Sequence, residues 1–177
     1  SGLLSRSNKL MYDLRSQSVI DTFTGQARSG PMRKAGITLA QATVVVSTWG
    51  AWRTAHPKTT LLARDGGIGR EYPPNPLGGR DDRGPIFPVG DVDPRLPVHE
   101  VVLGATGAQG QALAFPRAAV QLALAAGQPV RLGGVEVRSE GGGLRAFVGG
   151  NEVMSQQSFW FAWSQFKPGT LLWTRGP

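Results

Sequence analysis

The sequence has no cysteine, only 4 lysines and no long apolar run. Without cysteine the chain can form no disulfide, no thiolate nucleophile and no zinc site with sulfur ligands. No stretch approaches the ~18 consecutive apolar residues that a membrane-spanning helix needs. Charged residues are also scarce, at 18% of the 177 residues against 40% hydrophobic, a balance too apolar for a disordered polypeptide. We therefore expect a single globular domain with a substantial core.

Glycine and proline are abundant, with 25 and 13 residues respectively, so turns must be frequent and regular elements short. The apolar and β-branched runs between those turns predict strands. The candidates are residues 10–15, 19–23, 100–105, 111–115, 130–132, 135–138 and 144–148, and residues 43–46 are either a buried strand or the apolar approach to the segment that follows. We predict a mainly β fold, that is, a β-rich α+β single domain.

One longer helix is predicted over residues 116–126, which are rich in alanine. Pro116 suits the first helical position, where its missing N–H costs no hydrogen bond. Gly127 can adopt the left-handed conformation that often ends a helix. The small side chains of this helix should let it pack closely on a sheet.

A segment of fifteen residues occurs twice in the chain. Residues 47–61 (STWGAWRTAHPKTTL) recur 111 positions later as residues 158–172 (SFWFAWSQFKPGTLL), with seven identities and no gap. In the first copy Ser47 or Thr48 can cap a short helix, and Pro57 ends it. The repeat predicts two pseudo-equivalent halves, about residues 1–62 and 100–177, each with a short tryptophan-bearing helix. Residues 63–98 join them.

We interpret the tryptophans of the two copies as structural residues, because a buried indole removes a large apolar area from water. We expect Trp52 and Trp163 to be buried in equivalent environments, with Trp49 and Trp160 on the same helical faces. The alternative is a pair of aromatic platforms that bind a ligand or the edge of a membrane.

Residues 63–98 contain seven of the 13 prolines and seven glycines. Long irregular segments inside a compact domain are usually functional or disordered. The segment also carries arginines, which can pair with carboxylates, and apolar side chains, which can anchor an interface. We therefore predict that it forms a surface that binds a protein partner. The predicted partner-binding residues are Arg64, Arg70, Tyr72, Arg80, Arg83, Ile86, Phe87 and Arg95.

The net charge of +7 and the pI of about 10.8 raise the question of nucleic-acid binding. The basic residues are scattered, with no run of three and no basic helix face, which argues against a nucleic-acid partner. An anionic protein partner or an anionic membrane surface fits this charge equally well.

No arrangement of polar residues identifies a catalytic site. The two histidines, His56 and His99, could bind a metal with Asp65 only if the fold brings them together, and a surface role is the simpler interpretation. Asp81, Asp82, Asp91 and Asp93 match no calcium loop, and residues 66–69 lack the Lys-Ser/Thr of a phosphate loop. We therefore predict no catalytic residue, no metal site and no cofactor.

Several stretches of the chain resemble the bacterial family catalogued as domain of unknown function 3179. They are residues 1–13, 23–31, 49–57, 87–88, 95–104, 114–116 and 159–173. The resemblance implies an exported or membrane-associated bacterial protein and no established activity. It also implies an upstream segment with a closely spaced cysteine pair, which this sequence lacks, so thiol or metal chemistry that depends on that pair cannot operate here.

The sequence thus favours a non-enzymatic exported structural or accessory subunit. It would dock onto protein subunits of a larger, membrane-associated assembly on its periplasmic face. The alternative is a small-ligand or metal-binding protein, or an enzyme of unknown reaction, with its site under residues 63–98. We expect a periplasmic or otherwise extracytoplasmic location, reached through a partner or through a missing N-terminal segment, because the chain starts without methionine.

Overall fold

The strand-rich architecture predicted above is confirmed by the computed structural model. The structure describes residues 3–62, 68–69, 71, 73–75, 78–79 and 84–176. Within this part of the chain, three four-stranded sheets and four helices form a single domain.

The central sheet carries most of the core. It contains β5 (Val101–Thr106), β6 (Ala112–Pro116), β11 (Ser155–Phe159) and β12 (Leu171–Leu172), in the order β11-β5-β6-β12. All neighbours are antiparallel except β12, which runs parallel to β6. Strands β5 and β6 are covered on both faces, which explains why their sequences are nearly continuous apolar runs.

One face of the central sheet packs against a meander and the longest helix. The meander comprises β7 (Val130–Leu132), β8 (Val135–Glu140), β9 (Gly143–Val148) and β10 (Asn151–Val153). The helix α3 (Arg117–Ala125) contributes the buried side chains of Val120 and Ala123. Its bounds agree with the predicted helix, except that Pro116 is the N-cap residue rather than the first helical residue.

The N-terminal segment forms a separate antiparallel ribbon. It comprises β1 (Leu4–Ser5), β2 (Asn8–Asp13), β3 (Ser18–Asp21) and β4 (Ala27–Ser29), followed by α1 (Gly30–Lys34). The sequence patterns predicted no helix in this segment. A helix begins there because Pro31 lies in its first turn, where the fixed φ of proline is already helical.

The two short tryptophan-bearing helices are also present, as α2 (Trp49–Ala55) and α4 (Trp160–Phe166). Helix α4 covers the second face of the central sheet, where Trp160 and Trp163 join Val102 and Ala114 in a core cluster. The side chain of Phe23 from the ribbon completes this cluster.

Apolar side chains are buried very unevenly along the chain. Among the described residues, Ile20 and Phe23 are the only buried apolar side chains before residue 102. The rest of the buried core comes from residues 102–173. Many apolar residues of the first part of the chain therefore remain at the surface.

Candidate docking surface

The two copies of the repeated segment have the same local structure. In α2 the indole Nε1 of Trp52 donates to Thr59 Oγ1 at 3.0 Å, and in α4 that of Trp163 donates to Thr170 Oγ1 at 2.9 Å. The residue before each helix has almost the same backbone dihedrals, φ −73° and ψ 150° before α2, φ −70° and ψ 150° before α4. The repeat is therefore a structural duplication and not only a similarity of letters.

The surroundings of the two copies are not equivalent, so the expected equal burial of Trp52 and Trp163 is wrong. Helix α4 buries Trp160 (0% exposed) and Trp163 (3% exposed) under the central sheet. Helix α2 buries none of its residues. Trp49 is 43% exposed, and Trp52 is half-buried.

The indole of Trp163 lies directly on the backbone of β5. A Cβ atom built on Gly104 would be 2.1 Å from the Trp163 ring, so a residue with a side chain cannot be accommodated here without movement. The aromatic ring of Phe23 packs at the same place, 6.1 Å from Trp163 between centroids. The sheet, the glycine and the ribbon together form the environment that α2 lacks.

Arg95, one of the predicted partner-binding residues, is engaged within the chain. Its guanidinium forms an ion pair with Asp93 at 2.7 Å, donates to Thr170 O at 3.0 Å and lies 5.4 Å from the centre of the Trp160 ring. Trp160 Nε1 in turn donates to Asp93 O at 2.8 Å. In this arrangement the segment with Asp93 and Arg95 is held against α4.

Acidification should weaken the interaction between Asp93 and Arg95. The hydrogen bond from Arg95 holds the pKa of Asp93 below its ordinary value of 3.8 in the folded protein. A carboxylate with such a lowered pKa stabilises the fold above its unfolded-state pKa, and this stability is lost as the pH falls through the folded-state pKa.

We therefore expect Asp93→Asn to lower the free energy of unfolding near neutral pH and to have a shrinking effect below about pH 4. Urea denaturation of the parent and the variant at several pH values measures this. Asp91→Asn is the control, because Asp91 is exposed and its described surroundings include no ion pair. A cost of Asp93→Asn that is the same at neutral and acidic pH would contradict the expectation.

The other predicted partner-binding residues are divided between two groups. Ile86 and Phe87 are 44% and 55% exposed and form an apolar patch at the surface. Arg64, Arg70, Tyr72, Arg80 and Arg83 lie outside the described residues. Part of this predicted surface is thus available for a partner, while Arg95 is used internally.

Helix α2 rests on the turn between β8 and β9. His56 Nε2 lies 3.1 Å from Gly141 O, and its ring is 4.0 Å from that of Trp52 between centroids. A Cβ atom built on Gly142 would be 3.2 Å from the Trp52 Cα. These contacts hold one side of α2, while Trp49 in its first turn remains largely exposed.

Many exposed apolar side chains lie on this helix, on the ribbon and in the segments that flank α2 in the sequence. They include Leu3, Leu4, Met11, Tyr12, Leu14, Ile37, Leu39, Val44, Val46, Trp49, Leu61 and Leu62. Sequence reasoning placed the partner-binding surface in residues 63–98 and missed this one. A signal was nevertheless available, since the apolar alternation of residues 10–15 implied a covered face that the ribbon alone does not provide.

A cleft of about 730 Å³ lies between the ribbon and the central sheet. Its apolar wall includes Phe23, Trp163 and Phe166, and the rings of Phe23 and Phe166 are stacked with centroids 4.5 Å apart. The volume is within the range of small-molecule sites.

The polar wall of this cleft is basic. Arg6, Arg28 and Lys167 line it, and no acidic residue does among the described residues. Arg6 donates to Gln165 O and lies over the Phe166 ring, while Arg28 is paired with the buried carboxylate of Asp21 at 2.8 Å. The wall therefore favours an anionic group over a cationic one.

The comparison with protein families agrees with the resemblance noted in the sequence. A family model described as "Protein of unknown function (DUF3179)" matches residues 1–139. The chain belongs to this family. No curated protein and no solved structure matches it. The DUF3179 match includes the first copy of the repeated segment and strands β5 and β6, whereas the second copy, residues 158–172, follows the matched range.

The described part of this DUF3179 protein contains no group of three histidine, aspartate or glutamate residues that could hold a metal ion. His56 and His99 are in separate environments: His56 lies on the β8–β9 turn, and His99 packs on Phe159 with ring centroids 4.9 Å apart. None of the described helices is long and apolar enough to cross a membrane.

Proposed function

We propose that this DUF3179 chain is a non-enzymatic accessory module that docks onto protein subunits of a larger assembly. The observation that carries the proposal is the tryptophan helix α2, which buries none of its residues while its duplicate α4 is buried. Extensive exposed apolar surface marks sites of interaction. Tryptophan is a typical anchor residue of protein interfaces.

The proposed location is the periplasmic or extracytoplasmic side of a membrane, with the membrane reached through the partner. The absence of cysteine supports it, because a chain without thiols needs no protection in an oxidising compartment. The net charge of +7 supports attraction to an anionic partner or to an anionic membrane surface beside it.

Site-specific crosslinking in the native cells tests the docking. A photoreactive amino acid replaces Trp49 in one variant and Leu122, which is 62% exposed on α3, in the control. We expect a discrete crosslinked species with the Trp49 position and none with the Leu122 position, and we expect it in the membrane fraction after osmotic release of the periplasm. The same pattern at both positions, or no crosslink at Trp49, would refute the proposal.

The cleft supports a second candidate, a binding site for a small anionic ligand. It combines an aromatic wall with the cations Arg6, Arg28 and Lys167 and lies between the ribbon and the sheet, and no described residue of 63–98 lines it. A panel of organic carboxylates and phosphates in a thermal-shift assay tests it. Stabilisation of the parent that Lys167→Gln abolishes would favour this candidate, and no stabilisation by any anion would exclude it.

A further inference from the structure

The second copy of the repeat shows what covers a helix of this type. Helix α4 directly follows β11, which pairs antiparallel with β5, and β5 pairs with β6. The α4 tryptophans pack on this β5–β6 hairpin, with Trp163 over Gly104. The buried environment of α4 therefore needs two parts, a strand that leads into the helix and a hairpin that pairs with this strand.

The first copy has the segment that leads into the helix but not the hairpin that would pair with it. The repeat aligns residues 44–48 with β11, residues 155–159. Residues 44–48 form no strand, and Val44 to Ser47 make no backbone–backbone hydrogen bond with any described residue. Each β11-type segment needs its own hairpin, and in this chain α4 and β11 occupy the β5–β6 hairpin.

Residues 43–48 nevertheless show the alternating burial of a strand. Their side chains alternate, with Thr43, Val45 and Ser47 half-buried and Val44, Val46 and Thr48 exposed. The inner side is anchored, because Thr43 Oγ1 accepts from Ser155 N at 3.2 Å, and a Cβ atom built on Gly143 would be 2.3 Å from Val45 Cγ1. An extended segment held in place with unpaired backbone groups is a template for strand addition.

We propose that residues 44–48 and α2 together bind a two-stranded antiparallel hairpin of the β5–β6 kind, presented by a protein partner. The proposal rests on the proposed docking function and names the partner's structure. By equivalence with the pairing of Gln156 and Gly104, the partner strand runs antiparallel to residues 44–48 and carries a glycine opposite Val45. This glycine makes room for the indole of Trp52, as Gly104 does for Trp163.

A second copy of this chain is not the expected occupant. Its β5–β6 hairpin is covered by its own α4, and releasing it would expose Trp160 and Trp163, which are almost fully buried. The proposed partner therefore presents a hairpin whose glycine-bearing face is open.

The duplication provides a direct probe, namely a peptide with the sequence of residues 100–117 of this chain. The peptide is closed by backbone cyclisation, because an isolated hairpin is only marginally stable in water. We expect the labelled cyclic peptide to bind the full chain saturably in fluorescence anisotropy. A peptide with Gly104→Val should bind at least about ten-fold more weakly. The matched control is Gly110→Asn in the turn, where φ is +82° and the space is open, and it should bind like the parent peptide.

Backbone pairing is tested on the chain itself. Alternate residues of a strand bond to a given neighbour, so either Val45→Pro or Val46→Pro should remove a required N–H and weaken binding at least about ten-fold. Leu122→Ser should leave binding unchanged, and thermal melting confirms that each variant is folded.

No binding of the cyclic peptide up to about 100 µM, or equal binding of the Gly104→Val and Gly110→Asn peptides, would overturn the proposal. Sedimentation that shows a dimer through α2 would replace the partner by a second copy and would also overturn it. The proposed docking function fails separately, since it depends on the Trp49 crosslink in native cells. A crosslink at Trp49 without binding of the cyclic peptide would support the docking function and refute the hairpin partner.

Discussion

Trp160→Ala should lower the free energy of unfolding by about 3–5 kcal/mol, the range for deleting a large aromatic side chain from a core. Trp160 is fully buried, and its loss would remove the hydrogen bond to Asp93 O and the ring on which Arg95 lies. The cavity would lie at the centre of the cluster beneath α4, where the surrounding strands cannot collapse freely.

The duplicate residue provides a matched control for this experiment. Trp49 occupies the same position in the repeated segment but is 43% exposed on a helix that buries none of its residues. Trp49→Ala should therefore change the free energy of unfolding by less than about 1 kcal/mol. Urea denaturation with a constant slope compares the two variants. Similar costs for Trp49→Ala and Trp160→Ala would show that α2 is covered within the chain and would contradict its role as a docking site.

Gly104→Val should destabilise the protein by about 3 kcal/mol, at the upper end of the cost of overpacking a core. The new side chain would enter the space of the Trp163 ring, whose nearest atoms lie 2.1 to 2.5 Å from the built Cβ. The ring cannot simply swing away, because its Nε1 is held by Thr170 Oγ1. The substitution therefore has to separate α4 from β5 or distort the strand.

Gly50→Ala is the corresponding control in the first copy. Gly50 lies within α2 and has open space where a Cβ would be, and alanine is a better helix former by about 0.5–1 kcal/mol. We expect no loss of stability or a small gain, measured by thermal and urea denaturation. If Gly104→Val is tolerated as well as Gly50→Ala, the tight contact of Trp163 with β5 is absent in solution.

Local sequence patterns were sufficient for the secondary structure that depends on near neighbours. Helix α2 begins where predicted because Thr48 Oγ1 accepts from Ala51 N, and α3 ends before Gly127, whose φ is +70°. The apolar runs at residues 100–105 and 111–115 predicted the strands β5 and β6. The indole-to-threonine hydrogen bond that both copies share is likewise a local contact, because it spans only seven residues.

Long-range packing decided what local patterns cannot specify. Residues 43–46 are apolar and β-branched, yet they form no strand, because a strand requires a neighbour that is distant in the sequence. For the same reason, the sequence could not show that Arg95 contacts another part of the chain. Its partner Thr170 is 75 residues away, and no motif near Arg95 indicates that contact.

The tryptophan segment shows this division most clearly. Fifteen similar residues produce the same short helix and the same hydrogen bond at two places in the chain, so the amino acids themselves specify the element. They do not specify whether the element is buried, because burial depends on a hairpin that lies more than 40 residues before α4 in the chain and pairs with β11. One hairpin can cover one such helix, and the tertiary structure assigns it to α4, which leaves α2 at the surface.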